Sequence, residues 1–317
     1  MLTIEKPSVE KITSGSRLGF IGLGHLGSRI ARRLATAGFP MIVYNRDRAA
    51  TAELAALGAE VAEDTGKLAA EVDVVLSCVA DDSAVEDVYL GSGAVLRNVR
   101  PGTLIVELST ITPETGRYLH QAARQLNISA LDVTVSGSTV AAEAGALTLF
   151  GGGERPVFEA CAPIFSAIAS QWFYMGPSGS GLAMKLVVNT LLGLGMQAIA
   201  EAVALGSALG LPRDALLDTL ARTAVVAPAH AGKLASAKQN SYTPQFPVRL
   251  MHKDFGLILD AAKRSGLSMP ATESAAAVNA AEAATGLEED FSAVIRRMEQ
   301  QTRSEKVTAA SQLARSL

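Results

Sequence analysis

The first half of the chain alternates two hydrophobic periods, and this alternation constrains the fold more than any other feature. Arg17–Gly22 is a short apolar strand. His25–Ala37 follows with helical spacing, which sets Leu26, Ile30 and Leu34 on one face. Met41–Tyr44 is the next strand and Arg48–Leu57 the next helix. Val72–Val79 is a near-continuous apolar run, the pattern of a strand buried on both faces. Thr103–Glu107 and Ile128–Asp132 repeat the pattern with a helix between them, and Leu147–Phe150 adds a further strand. Strands and helices alternating through short connections predict an α/β fold with a parallel, doubly wound sheet.

The alternation stops near Gly176. From Pro177 onward the spacing predicts helices only: Gly181–Leu209, Pro212–Ala221, Phe255–Ser265, Thr272–Thr285 and Asp290–Gln300. The expected organisation is a flexible N-terminal extension (1–16), a sheet domain (17–176), an all-helical domain (177–300) and a polar tail (301–317). A long interdomain helix joins the two domains, and a crevice between them is the expected place for a site.

Composition removes several function classes. The chain has 317 residues, 49% of them hydrophobic and 19% charged, enough to bury a sizeable core. Lys and Arg number 28 against 31 Asp and Glu, a net charge of -3, so no basic stripe is available for nucleic acid. Aromatics are only 5%, which argues against base stacking. The apolar stretch Leu186–Leu211 contains Asn189, Gln197 and Glu201 and reads as a buried helix, not a membrane span. Two cysteines, Cys78 and Cys161, cannot build a disulfide framework, and Met1–Ser16 lacks the apolar core of a targeting signal. The expected compartment is the cytoplasm. His25, His120, His230 and His252 show no ligand spacing, so no metal site is expected.

Gly22-Leu23-Gly24-His25-Leu26-Gly27 fits G-x-G-x-x-G directly after a strand and at the opening of a helix. In that context the first glycine permits a tight turn, the second lets backbone approach a pyrophosphate, and the third lets helix and strand pack closely. The helix N-terminus then offers N–H groups to phosphate. The sheet is therefore expected to be of Rossmann type and to bind a dinucleotide. The second strand ends at Asn45-Arg46-Asp47. An NAD site typically has an acid at the end of this strand; the neutral Asn45 followed by Arg46 favours a 2′-phosphate, hence NADP(H), with NAD(H) the second choice. Asp47 reads as a helix N-cap.

Lys185 and Asn189 stand four apart on one helix face among apolar neighbours. An embedded lysine is either desolvated, which lowers its pKa toward the range of an acid–base catalyst, or snorkels to the surface; the spacing leaves both open. Ser136-Gly137-Ser138 follows a strand, where two hydroxyls and nearby N–H groups suit a carboxylate, although a plain serine–glycine turn reads the same way. Ser109-Thr110 ends another strand, and ligands of open α/β sheets sit at such ends. Lys253-Asp254 begins a late helix and reads either as a crevice pair or as a solvated one.

These blocks together resemble the β-hydroxyacid dehydrogenase family, which includes 3-hydroxyisobutyrate dehydrogenases, tartronate semialdehyde reductases and glyoxylate/succinic semialdehyde reductases. GFIGLGHLG from Gly19, ELSTITPET from Glu107, DVTVSGSTVAAEAGALTLFGGG from Asp132 and GSGLAMKLVVN from Gly179 carry the resemblance in order, supported by HKDFGLILDAA from His252. It spans Leu18 to Gln300. Asn45-Arg46 and DFSAVI from Asp290 look most like the glyoxylate/succinic semialdehyde reductase branch. The sequence departs from the family pattern at His25-Leu26 in the glycine loop, at Thr134 and Ala80, where prolines are usual, and at Glu107, which replaces an aspartate.

The resemblance implies a nicotinamide-dependent oxidoreductase acting on a small carboxylate-bearing aldehyde or its hydroxyacid, as a homodimer or homotetramer with no nucleic-acid or membrane partner. Lys185 would be the general acid/base and Asn189 its catalytic neighbour. Ser136, Gly137, Ser138 and Thr110 would hold the substrate. Gly22, Leu23, Gly24, His25, Leu26, Gly27, Asn45, Arg46, Val79, Ala80, Thr110 and Lys253 would line the cofactor. An imine reductase shares the resemblance but usually carries Asp or Tyr where Lys185 stands. A non-catalytic nicotinamide-binding sensor would have no use for the Lys185/Asn189 pair.

Overall fold

The computed structural model describes residues 12–91 and 93–301. The chain divides into two compact units between Lys185 and Leu186. The first holds an eight-stranded sheet: β1 (Leu18–Ile21), β2 (Met41–Tyr44), β3 (Glu60–Val61), β4 (Val74–Ser77), β5 (Leu104–Glu107), β6 (Ser129–Ser136), β7 (Leu147–Gly153) and β8 (Ala169–Gly176). Their order is β3-β2-β1-β4-β5-β6-β7-β8. Neighbours from β3 to β6 are parallel, β7 runs antiparallel to β6, and β8 follows β7 in parallel. The sheet is thus mixed, and the all-parallel expectation fails at its β7–β8 edge. Hydrophobic spacing is the same in either direction, so sequence carries no sign for strand polarity.

Alternate strand residues feed two cores, as a doubly wound sheet requires. Leu18, Phe20, Leu76, Leu104 and Val106 pack with Ile30 and Leu34 of the Gly27–Thr36 helix on one face. Ile21, Val75 and Ile105 pack on the other with Val85 and Tyr89 of the Asp82–Leu90 helix and Leu119 of the Pro113–Gln125 helix. Each such buried side chain contributes about 1.5–3 kcal/mol. Ile12 is buried in the first core, and a turn from Thr13 to Ser16 leads into β1. The fold therefore begins inside the stretch expected to be a flexible extension; the rest of that stretch, like the tail after Gln301, lies outside the described residues.

The second unit is helical. The Ser180–Ala208 helix runs into it and is followed by Arg213–Leu220, Pro228–Lys238, Val248–Arg264 and Pro270–Gly286. The Ser180–Ala208 helix is long and apolar enough for a membrane span, yet nearly half of its most apolar window is buried in the protein. Its buried face carries Lys185, Asn189 and Gln197, groups that lipid would not take.

Candidate active site

Each glycine of the loop after β1 meets a different neighbour. Gly22 has φ +93°, and a side chain there would collide with the Cys78 carbonyl oxygen. A side chain at Gly27 would collide with the Gly22 carbonyl oxygen and press on the Phe20 ring, 3.3 Å away. At Gly24 it would meet nothing within 4 Å. The first and third glycines are thus packing requirements, and the second leaves bare backbone on an open surface. The Gly27–Thr36 helix starts without a side-chain cap and without an acid in its first turn. An uncapped start with no competing carboxylate suits an anion.

Asn45 has a second task. Its Oδ1 accepts the Leu23 N–H at 2.9 Å and its Nδ2 donates to the Asp47 carbonyl at 2.9 Å. It therefore braces the glycine loop against the end of β2, and the Leu23 N–H is committed to it; Leu23 itself is buried in the core. Asp47 accepts the Ala49 N–H and caps the following turn, as its position suggests. Arg46 is exposed, with no ion pair among the described residues. His25 is also exposed, and its carbonyl accepts from Arg29.

The loops after β4 and β5 are joined. Val79 N donates to Ser109 Oγ at 2.7 Å, and Asp82 Oδ1 accepts both the N–H and the hydroxyl of Thr112 at 3.0 and 2.7 Å. Ala80 is exposed, and Val79 and Thr110 are half-buried. Gly22–Gly27, Asn45, Val79-Ala80 and Ser109-Thr110 therefore gather at the C-terminal ends of β1, β2, β4 and β5. Ser136 closes β6, and Gly137 follows with φ +142° on the surface. Ser138 is the N-cap of the short Thr139–Glu143 helix, its oxygen taken by the Ala141 N–H at 3.3 Å.

Asp132 is the site residue that sequence reasoning passed over. It lies within β6 at 1% exposure, and its carboxylate accepts Gly179 N at 2.9 Å and Leu182 N at 3.1 Å. It thereby caps the Ser180–Ala208 helix one turn before Lys185. Thr134 adds a bond from its hydroxyl to the Gly181 carbonyl at 2.9 Å, a bond that a proline there would forfeit. Burial raises the Asp132 carboxyl, and the backbone N–H groups oppose that rise. His120 Nε2 stands 3.6 Å from Asp132 Oδ1 without a hydrogen bond, and burial lowers its imidazole to about 4. The ring is neutral at pH 7 and is no counter-charge. An acid inside an apolar strand was the signal available, since a buried carboxylate demands donors.

Lys185 is buried at 9% exposure, so it does not snorkel into solvent. In the second unit Asn189 is fully buried, and its Nδ2 donates to Asp254 Oδ2 at 2.5 Å. Asp254 Oδ1 in turn lies 3.1 Å from Lys253 Nζ, which is half-buried. Asn189, Asp254 and Lys253 thus form one linked group, with Asn189 beneath the surface rather than on it. Among the described residues no cluster of His, Cys, Asp and Glu could hold a metal ion.

Residues 17–176 match the family model described as the NAD-binding domain of 6-phosphogluconate dehydrogenase. Residues 179–298 match that of the NAD-binding region of NADP-dependent 3-hydroxyisobutyrate dehydrogenase. The chain is 34% identical over 288 residues to 2-(hydroxymethyl)glutarate dehydrogenase of Eubacterium barkeri, covering 90% of this chain and 96% of that protein. It is 33% identical over 279 residues to glyoxylate/succinic semialdehyde reductase 1 of Arabidopsis thaliana, covering 88% and 96%. Among solved structures, Mycobacterium tuberculosis 3-hydroxyisobutyrate dehydrogenase with L-serine superposes with a TM-score of 0.79 at 30% identity, covering 90% of this chain and 99% of that one. Bare glycine loop, strand-end clusters and these matches converge: the chain belongs to the β-hydroxyacid dehydrogenase family, as a 3-hydroxyisobutyrate dehydrogenase-like, NAD(P)-dependent oxidoreductase acting on CH–OH groups.

Proposed function

We propose that the chain is an NADPH-dependent reductase of a small carboxylate-bearing aldehyde, such as glyoxylate or succinic semialdehyde, and runs the reverse oxidation of the hydroxyacid. The observation that carries this reading is the burial of Lys185 one turn after a helix start held by Asp132 and Thr134. A lysine so placed has a fixed backbone and little water around its ammonium.

The bare Gly24 and the uncapped helix behind it fit a pyrophosphate, and the exposed Arg46 fits a 2′-phosphate as a guanidinium fork. Val79, Ala80, Thr110 and Lys253 complete the proposed cofactor contacts. When bound, the nicotinamide gives or takes the hydride. Lys185 holds a proton for the carbonyl oxygen and passes it over as negative charge grows there. In the oxidation direction neutral Lys185 takes the hydroxyl proton. Ser136 and Gly137 offer a hydroxyl and backbone N–H to the substrate carboxylate. Ser138 adds its own proton, since its oxygen already serves Ala141. Asn189 supports Lys185 from the next helical turn.

We also infer self-association, supported by Val187, Leu191, Leu205 and Leu209, which are exposed along the Ser180–Ala208 helix and just past its end. A reducing, cytoplasmic setting is in keeping with a chain of only two cysteines, Cys78 and Cys161. The relatives named above differ in substrate, so the aldehyde is the part most in need of a test.

That test follows NADPH absorbance with glyoxylate, succinic semialdehyde, 2-hydroxymethyl acids and cyclic imines. Carboxylate aldehydes should turn over. Lys185→Ala should lower kcat by about a hundredfold or more while the NADPH Kd stays nearly unchanged. Turnover of imines alone, or a Lys185→Ala variant with ordinary kcat, would overturn the assignment.

A further inference from the structure

Under the loops after β4 and β5 lies a chain of buried polar groups that the proposed chemistry does not use. Ser77, the last residue of β4, is fully buried; Glu107, the last of β5, is 1% exposed; the two are register neighbours. Tyr89, from the Asp82–Leu90 helix, is fully buried, with its Oη 2.5 Å from Ser77 Oγ. Ser77 Oγ donates to Glu107 Oε2, and Ser109 N donates to Glu107 Oε1 at 2.7 Å. Ser109 Oγ accepts the Val79 N–H at 2.7 Å and turns its own proton to Glu107.

The direction of each bond is constrained. Val79 N can only donate, so Ser109 Oγ accepts there. Ser77 has one proton and gives it to the Glu107 carboxylate, so Tyr89 Oη donates its own proton to Ser77 Oγ. Every proton in the chain then has an acceptor when Glu107 is ionised. A neutral Glu107 adds one proton and leaves one donor without an acceptor in a space that excludes water.

We infer that Glu107 is a positioning residue for dinucleotide binding: its ionised carboxylate fixes Ser109, and through Ser109 the Val79 amide, and so sets the shape of both strand-end loops. The inference rests on the proposed cofactor role of Val79, Ala80 and Thr110. Thr110 follows Ser109 directly, so the same anchor fixes the entry to that residue.

The anchor is sensitive to pH in the working range. Burial pushes the Glu107 carboxyl up to about 7, against the hydrogen bonds from Ser109 and Ser77 that lower it. The titratable groups around it are Tyr89, Asp132 in register on β6, and His120 beyond Asp132 on the Pro113–Gln125 helix. Among the described residues no Lys or Arg forms an ion pair with Glu107. Burial and the Glu107 charge hold the Tyr89 phenol well above its ordinary value, so it stays a donor.

The test is a fluorescence titration of the 317-residue chain with NADPH across the neutral range. Wild-type affinity should tighten about tenfold as pH rises through neutrality, the worth of one hydrogen bond to a charged group. Glu107→Gln should bind about tenfold more weakly at high pH and lose that rise. The comparison is read as the difference between the two profiles, because the 2′-phosphate of NADPH titrates in both. Ser109→Ala keeps the carboxyl but cuts its link to Val79, and should show the same weakened, flat profile. Should Glu107→Gln fail to fold, Ser109→Ala decides alone. Wild-type affinity and pH profile in the Ser109 and Glu107 variants would overturn the positioning role while leaving the proposed function standing. A wild-type protein that binds no dinucleotide would overturn both.

Discussion

Glu107 and Asp132 in the sheet unit are buried against neutral donors, whereas Asp290, Glu282 and Glu299 in the helical unit are buried against cations. Asp290 meets Lys233 at 2.5 Å, Glu282 meets Arg296 and Arg297 at 2.9 and 2.6 Å, and Glu299 meets Arg213 at 2.7 Å. Asp132 instead takes two backbone N–H groups, and Glu107 takes one N–H and hydroxyls. The helical pairs neutralise one another and bind segment to segment. The Lys233–Asp290 pair, for instance, also collects the N–H groups of Gln245, Phe246 and Ser292. The sheet carboxylates have no cation partner among the described residues and hold backbone near the site. Cation pairing suits a scaffold; dipole pairing suits a place where the surroundings change during turnover.

Removing one ion should strain this contrast most. Lys233→Met would leave Asp290 buried with its three N–H donors but no cation, at a cost of about 3–5 kcal/mol, read from denaturant unfolding. Replacing Lys233 and Asp290 together by neutral residues should recover much of it, and full additivity of the two losses would contradict the pairing.

Next in size is the pH dependence contributed by Glu107. Its folded pKa, about 7, lies above the ordinary 4.5. Below the ordinary value both states are neutral and nothing is lost. As pH rises from there toward 7 the unfolded chain ionises first, so stability falls by roughly 3 kcal/mol and then levels off. Glu107→Gln should flatten that slope; an unchanged slope would locate it elsewhere.

Asp132→Asn keeps one accepting oxygen and turns an NH2 toward a backbone N–H. It should cost about 1–2 kcal/mol and raise hydrogen exchange at Gly179 and Leu182. Intact protection at both amides would remove Asp132 as the cap. The smallest effect belongs to Arg46, which has no carboxylate partner among the described residues. Arg46→Asp should shift the NADPH/NADH affinity ratio by about tenfold toward NADH, with little change in stability, and an unchanged ratio would refute the 2′-phosphate role.

Much of this architecture was legible in the sequence. Met41–Tyr44 matches β2, and β1, β4 and β5 fall within a residue or two of their apolar runs. Parallel strands buried on both faces write themselves as apolar blocks. β8 went unread because it is an edge strand whose residues Gln171–Phe173 face outward without alternation. The Pro228–Lys238 helix is rich in alanine and weakly patterned, and Val248–Arg264 begins seven residues before Phe255 because Arg249, His252 and Lys253 look like loop.

The glycine loop, Lys185 and the serine–glycine turn were visible because their chemistry is local. The Asn45 brace, the Asp132 cap and the Glu107 chain join residues 22, 47 and 30 positions apart, and no local pattern encodes such pairs.

The Asp132 cap also decides where the chain can be cut and rejoined. Gly152 and Gly181 crowd its carboxylate so closely that a side chain at Gly152 would come within 2.7 Å of it. The first turn of the Ser180–Ala208 helix is therefore fitted to β6 and β7, and the compact units part only after Lys185. A chimaera joined at the Pro177–Gly179 loop would set a foreign helix start on this carboxylate. A junction inside the helix, beyond Lys185, would carry the matched pieces as one cassette and exchange the helical body alone.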